Sequence, residues 1–136
     1  MRVFLDANVL FSAAKSDGGV RALVRLLLDG GHECWVDDYV VTEARRNLGM
    51  KGAESMAAFE ALLSYFKVGS MTRPLPDLPQ LEWLPEKDRP VLSAAMRLRC
   101  DALVTGDRTH FGAGYGKAFG GVTIHSPRSM ADALLR

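Results

Sequence analysis

Four short apolar segments constrain this chain more than any other feature, because each is too brief for a helix and each is followed by a stretch with helical spacing. They are VFL at residues 3–5, ECWV at 33–36, ALVT at 102–105 and VTIH at 122–125. Their β-branched and aromatic side chains read as buried strands, and KVG at 67–69 is a weaker fifth candidate. Helices are expected between them. Residues 9–14 are helix-compatible until Asp17-Gly18-Gly19. Val20, Leu23, Val24, Leu27 and Leu28 then repeat at amphipathic spacing up to Gly30-Gly31. Asp37 or Asp38 can cap a helix carrying Val41, Ala44 and Leu48, which Gly49 ends. Further helices are expected over about 53–66 and over 86–99, where Val91, Leu92, Ala95, Met96 and Leu98 form a stripe, and from Ser126-Pro127 onward. Strands alternating with helices predict a parallel sheet covered on both faces.

The prolines at 74, 76, 79 and 85 read as a loop, and so does the glycine-rich FGAGYGKAFGG at 111–121. At 136 residues the expectation is a single domain over 1–136 that folds without staples. Apolar runs are only a few residues long, which excludes a spanning helix, and Met1-Arg2 leads straight into a strand pattern with no cleavable leader. A cytoplasmic protein without membrane contact is expected. Cys34 and Cys100 lie far apart, each at the edge of an apolar segment and with no zinc-ligand spacing, so both read as buried thiols. With 17 basic and 16 acidic residues the net charge is +1, too little for non-specific attraction to a polyanion. A polyanionic substrate would need local positive charge or a metal.

Four acids stand where function could use them, and each has a plainer reading. Asp6 ends the first strand and can equally be an N-cap. Glu43 borders the Val40, Val41, Ala44 stripe, where a solvated charge is the simpler account. Asp88 shares a face with Val91, Leu92 and Ala95, and acids favour a first helical turn anyway. Asp107 ends LVTGD and can also cap. Topology ties these readings together, because open parallel sheets bind ligands beyond the carboxyl ends of their strands, where Asp6 and Asp107 both fall. Asp88 reaches that edge only if its helix starts near the strand tips.

If the four converge, two unit charges about 4 Å apart repel by about 4 kcal/mol at an effective dielectric of ~20, so the cluster must take up protons or a cation. An oxygen-only donor set favours Mg²⁺ or Mn²⁺, hard ions that suit phosphate chemistry. Asn8 and Thr105 can orient a carboxylate or a water without adding charge. Arg45 and Arg46 follow Glu43, Lys87 and Arg89 flank Asp88, and Arg108 follows Asp107. Helical neighbours in sequence do not share a face, so these cations would rim a pocket and meet a nucleic-acid backbone, unless they are scattered surface charge. His110 and Phe111 can stack on a base or simply pack. GAGYGK fits no phosphate-cradling pattern.

Taken in order, LDANVLFSA, Glu43 within VVTEARRNL, EKDRPVLSAA and LVTGDRTHF resemble the PIN-domain ribonucleases, especially the VapC-like toxins of toxin–antitoxin pairs. The resemblance implies a three-layer α/β/α sandwich with a central parallel sheet and Mg²⁺- or Mn²⁺-dependent cleavage of RNA. It maps the family's acids onto Asp6, Glu43, Asp88 and Asp107, with Asn8 and Thr105 in the accompanying polar positions. It further implies a homodimer and an antitoxin partner whose tail fills the basic-rimmed groove. Many relatives carry another acid soon after the TGD aspartate, whereas this chain has Thr109 and His110. A haloacid-dehalogenase-type phosphatase is the alternative enzyme, but it wants an acid where Asn8 stands. A silent RNA- or protein-binding module is the other alternative, and the four acids would weaken its hold on a polyanion.

Overall fold

Val3, Phe4 and Leu5 point to alternate sides of an extended chain, yet none of the three has exposed surface. A strand buried on both sides requires a layer above the sheet and another below it. The computed structural model describes residues 1–70 and 79–136. Pro74 and Pro76 of the expected loop lie outside the described residues. The chain runs β1 (Arg2–Leu5), α1 (Ala7–Lys15), α2 (Gly19–Asp29), β2 (Glu33–Asp37), α3 (Asp38–Leu48), α4 (Ala53–Leu63) and β3 (Lys67–Gly69). A 3-10 turn at Glu86–Asp88 then leads into α5 (Arg89–Arg97), β4 (Ala102–Val104), α6 (Arg108–Phe111), β5 (Ala118–Phe119), β6 (Val122–His125) and α7 (Pro127–Leu134).

Among the described residues six strands form one sheet in the order β3-β2-β1-β4-β6-β5, parallel except for β5. With the right-handed crossovers usual for parallel strands, the path from β1 through β2 to β3 puts α1 to α4 on one face, and the return to β4 puts α5 on the other. Contacts agree: α1 packs on α2, α3 and α4, while α5 packs on β4. The result is the expected α/β/α sandwich. The strand order reverses between β1 and β4, so the crevice for a ligand opens at their carboxyl ends.

Local differences from the expectations have identifiable causes. The first helix begins at Ala7 because the Asp6 carboxylate accepts the Ala7 N–H at 2.7 Å. Asp37 is the cap of α3, accepting from Val40 N. Residues 86–88 tighten into a 3-10 turn before α5, with Pro90 in the first α-helical turn. The loop expected over 111–121 instead holds α6's last residue, a further 3-10 turn at Gly112–Gly114 and β5. Gly120 and Gly121, at φ 55° and 84°, make the two-residue turn that folds β5 back onto β6. Both cysteines are buried and free, as expected, and burial pushes each thiol up to about 12. Among the described residues no helix is long and apolar enough to cross a membrane.

The turn before β5 is packed without slack. A Cβ at Gly114 would lie 2.5 Å from the Trp83 ring and 3.0 Å from Ile124 Cδ1, and Trp83 is itself held against Phe119 at 5.2 Å between ring centroids. Gly114→Ala is therefore expected to cost about 1–3 kcal/mol in urea unfolding, as overpacking does. The loss should shrink in a Trp83→Leu background; an equal loss there would place the strain elsewhere.

Candidate active site

Leu5 pairs with Val104 across β1 and β4, so the next residues of both strands, Asp6 and Thr105, leave the sheet side by side. Asp6 N donates to Val104 O at 3.1 Å, which carries the pairing one step past the strand end. Both side chains are buried. The Thr105 hydroxyl donates to Asp6 Oδ2 at 2.8 Å, and Asn8 Nδ2 donates to the same oxygen at 3.2 Å. Asn8 Oδ1 in turn accepts Gly106 N at 2.8 Å, tying the start of α1 to the turn after β4. Asp6 thus does two things that its sequence left open: one oxygen caps a helix and the other enters a polar network. Asn8 and Thr105 are its direct partners.

The other three acids arrive from separate elements. Glu43 is on α3, Asp88 stands at the start of α5, and Asp107 caps α6 by accepting His110 N at 3.1 Å. Asp6, Glu43, Asp88 and Asp107 all line one hollow of about 200 Å³, together with Asn8, Tyr39 and Lys87. The condition set for Asp88 is met, since Asp88 at the start of α5 lines the same hollow as Asp6 and Asp107. Burial raises the Asp6 carboxyl to about 6; hydrogen bonds from Thr105 and Ala7 oppose this, and the charges of Glu43 and Asp88 add to it. Asp88 is also raised, by burial first, against the pull of His110 and Lys87. A hollow that raises the pKa of its own acids has a place for positive charge.

Tyr39, Phe11 and Asn47 line the hollow without having been assigned to it by the sequence, and His110 stands against two of its acids. Tyr39 lines it and donates its hydroxyl to Lys87 O at 3.0 Å, which fastens α3 to the turn carrying Asp88. Nothing in the sequence around Tyr39 announces this. His110, read from the sequence as a stacking or packing residue, turns its Nδ1 to within 2.8 Å of Asp107 Oδ2 and 3.0 Å of Asp88 Oδ2. Its separation of three from the capping Asp107 was the available signal. Beside the oxygen donors read from the sequence, His110 offers a ring nitrogen next to two of them. Donor atoms of Asp88, Asp107 and His110 lie within 4.8 Å of one another, and Asp88 Oδ2 and His110 Nδ1 are buried without an aligned hydrogen bond. That chemistry fits a divalent cation.

The five cations expected at the rim divide. Lys87 lines the hollow. Arg46 and Arg108 are exposed. Arg45 reaches back to Glu60 on α4 at 3.0 Å. Arg89 donates Nε to Leu84 O at 2.9 Å and to Leu81 O at 3.2 Å, so its guanidinium holds the preceding loop instead of facing a substrate.

The Asp6 carboxyl sets a pH dependence. Its proton is held more tightly folded, at about 6, than in an unfolded chain near 3.8, so its stabilising effect is complete below the lower value and lost as pH rises through about 6. The displacement is worth about 3 kcal/mol. In urea unfolding with EDTA, stability of the parent should fall across this window, and Asp6→Asn should remove that part of the fall. An unchanged profile in the variant would show that Asp6 does not titrate there.

The family model of the PIN domain matches residues 2–109. Among solved structures, the chain is similar to one in VapBC2 from Rickettsia felis, crystallised bound to a DNA fragment from its promoter. The TM-score is 0.65 at 13% identity, over 93% of this chain and 98% of that one. No curated protein sequence matches. Identity that low shows a shared fold alone, but the family match runs from β1 into α6 and takes in Asp6, Glu43, Asp88 and Asp107. On that match the chain belongs to the PIN-domain family.

Proposed function

We propose that the protein is an Mg²⁺- or Mn²⁺-dependent endoribonuclease, the toxin of a toxin–antitoxin pair. The observation that carries the reading is the meeting of Asp6, Glu43, Asp88 and Asp107 in one hollow at the reversal of the sheet. In this reading Asp88 and Asp107 hold the cation. When bound, the cation supplies charge to offset that developing on the phosphate and makes the attacking water more acidic. Asp6 is kept in one orientation by Thr105 and Asn8 and faces the same space. Glu43, exposed at the mouth on α3, takes the proton from the water. Lys87, which lines the hollow, and the exposed Arg46 and Arg108 meet the phosphates of the substrate strand, while Arg45 and Arg89 serve the fold.

RNA as the substrate, a homodimer and a cytoplasmic site of action are further parts of the proposal, supported by membership of the PIN-domain family. A protein partner draws support from the similarity to a chain of a VapBC2 complex. A groove of about 620 Å³ between α2 and α4, with Tyr65 in its wall, offers surface of the kind such a partner covers.

Purified protein incubated with mixed single-stranded RNAs should cleave them with Mn²⁺ or Mg²⁺ and stop on addition of EDTA. Asp6→Asn and Asp107→Asn should each lower the rate by at least about a hundredfold with the fold intact by circular dichroism. Equal cleavage by parent and variants would end the proposal. A second expectation concerns stability: millimolar MnCl₂ should raise the midpoint of thermal unfolding of the parent, and should do so less in Asp107→Asn, because a ligand that binds only the folded state stabilises it.

A further inference from the structure

The three imidazoles of this chain have different surroundings. His32 meets the N-terminal ammonium at 2.9 Å and His125 bonds Ser129 at 3.0 Å. His110 lies among acids, one residue past the segment that the PIN-domain model matches. Its place is fixed by the backbone. Asp107 Oδ1 accepts His110 N, and this capping bond folds the imidazole back over the same carboxyl group. Nδ1 then stands 2.8 Å from Asp107 Oδ2 and 3.0 Å from Asp88 Oδ2.

A proton on Nδ1 lies along one direction and serves one oxygen well. Here two carboxylate oxygens from different elements face the nitrogen, and neither contact has the alignment of a hydrogen bond, so Asp88 Oδ2 and His110 Nδ1 are left unpaired and shielded from water. A cation satisfies all three groups together, because ligands about 2.1 Å from an ion and at right angles are themselves about 3 Å apart. The two short separations fit that spacing. Nitrogen also changes which ion is preferred. Carboxylates suit Mg²⁺ and Mn²⁺ alike, whereas imidazole favours first-row transition ions over Mg²⁺.

We propose that His110 Nδ1 ligates the divalent cation beside Asp88 and Asp107, and that it makes the site selective for Mn²⁺ over Mg²⁺. The proposal rests on the metal-dependent reading above, and its test separates the two. Full-length protein freed of metal with EDTA is titrated calorimetrically with MnCl₂ and with MgCl₂, as parent, His110→Asn and His110→Asp. The Mn²⁺-loaded parent is examined by pulsed electron paramagnetic resonance for coupling to a histidine nitrogen, a readout that needs neither turnover nor a variant.

The parent should bind Mn²⁺ at least about tenfold more tightly than Mg²⁺ and show the nitrogen coupling. His110→Asn should weaken Mn²⁺ about ten- to a hundredfold, with a smaller effect on Mg²⁺. His110→Asp should bring the two affinities together. Mn²⁺ bound in the parent without nitrogen coupling, or equal losses for both ions in the variants, overturns the role of His110 and leaves the nuclease reading standing. Absence of binding by either ion overturns both.

Discussion

The pairing of β1 with β4 at the point where the sheet reverses is what the rest of the molecule depends on. Register there is fixed by Leu5 opposite Val104, two strands whose side chains are buried on both faces, so a slip by one residue would turn every one of them to the wrong layer. That register puts Asp6 beside Thr105, and the 2.8 Å bond between them is the first link of the site. Asn8 extends the link to Gly106, and Tyr115 closes it from below by donating its hydroxyl to Thr105 O at 2.7 Å. Four side chains and two turns are thus set by one strand pair.

Gathering acids at that place works against folding. Burial alone raises Asp6, and neighbouring carboxylates raise it further. The apolar layers around β1 and β4 offset this cost, as is usual where function keeps a region locally unfavourable. The cost also has a direction: it is relieved by a proton or by a cation, and the unpaired Asp88 Oδ2 and His110 Nδ1 give a cation more to bind than a proton can. Tyr39 keeps the Asp88 turn from swinging away, although burial and the charges of Glu43, Asp88, Asp6 and Asp37 all raise its own pKa. The hollow is held by uncharged donors around its charged lining.

Much of this was readable from the residues. The strand end before Asp6, the breaks at glycine and the alternation of elements were all legible because each depends on neighbours close in sequence, while β4 ends at Val104, three residues before Asp107. The meeting of Glu43 and Asp88 with them followed from topology and the order of motifs, which is why it came through as a condition and not a deduction. What escaped depends on long side chains or short elements. Arg45 and Arg89 sit beside acids in sequence, but a flexible guanidinium finds Glu60 or the Leu81 and Leu84 carbonyls, and no local pattern reports that choice. The two residues of β5 carry too little signal to stand out from glycines, although Gly120-Gly121 was a legible hairpin turn. The direction of the His110 ring required knowing that Asp107 caps a helix of only four residues.

The central claim is that these groups form one cation site at the sheet reversal. Anomalous diffraction from crystals soaked in MnCl₂, recorded on both sides of the manganese absorption edge, tests it most directly. A single strong peak is expected where the hollow meets His110, within about 2.5 Å of oxygens of Asp88 and Asp107 and of His110 Nδ1. A hollow without a peak at full soaking, or manganese bound only at surface carboxylates elsewhere, would contradict it.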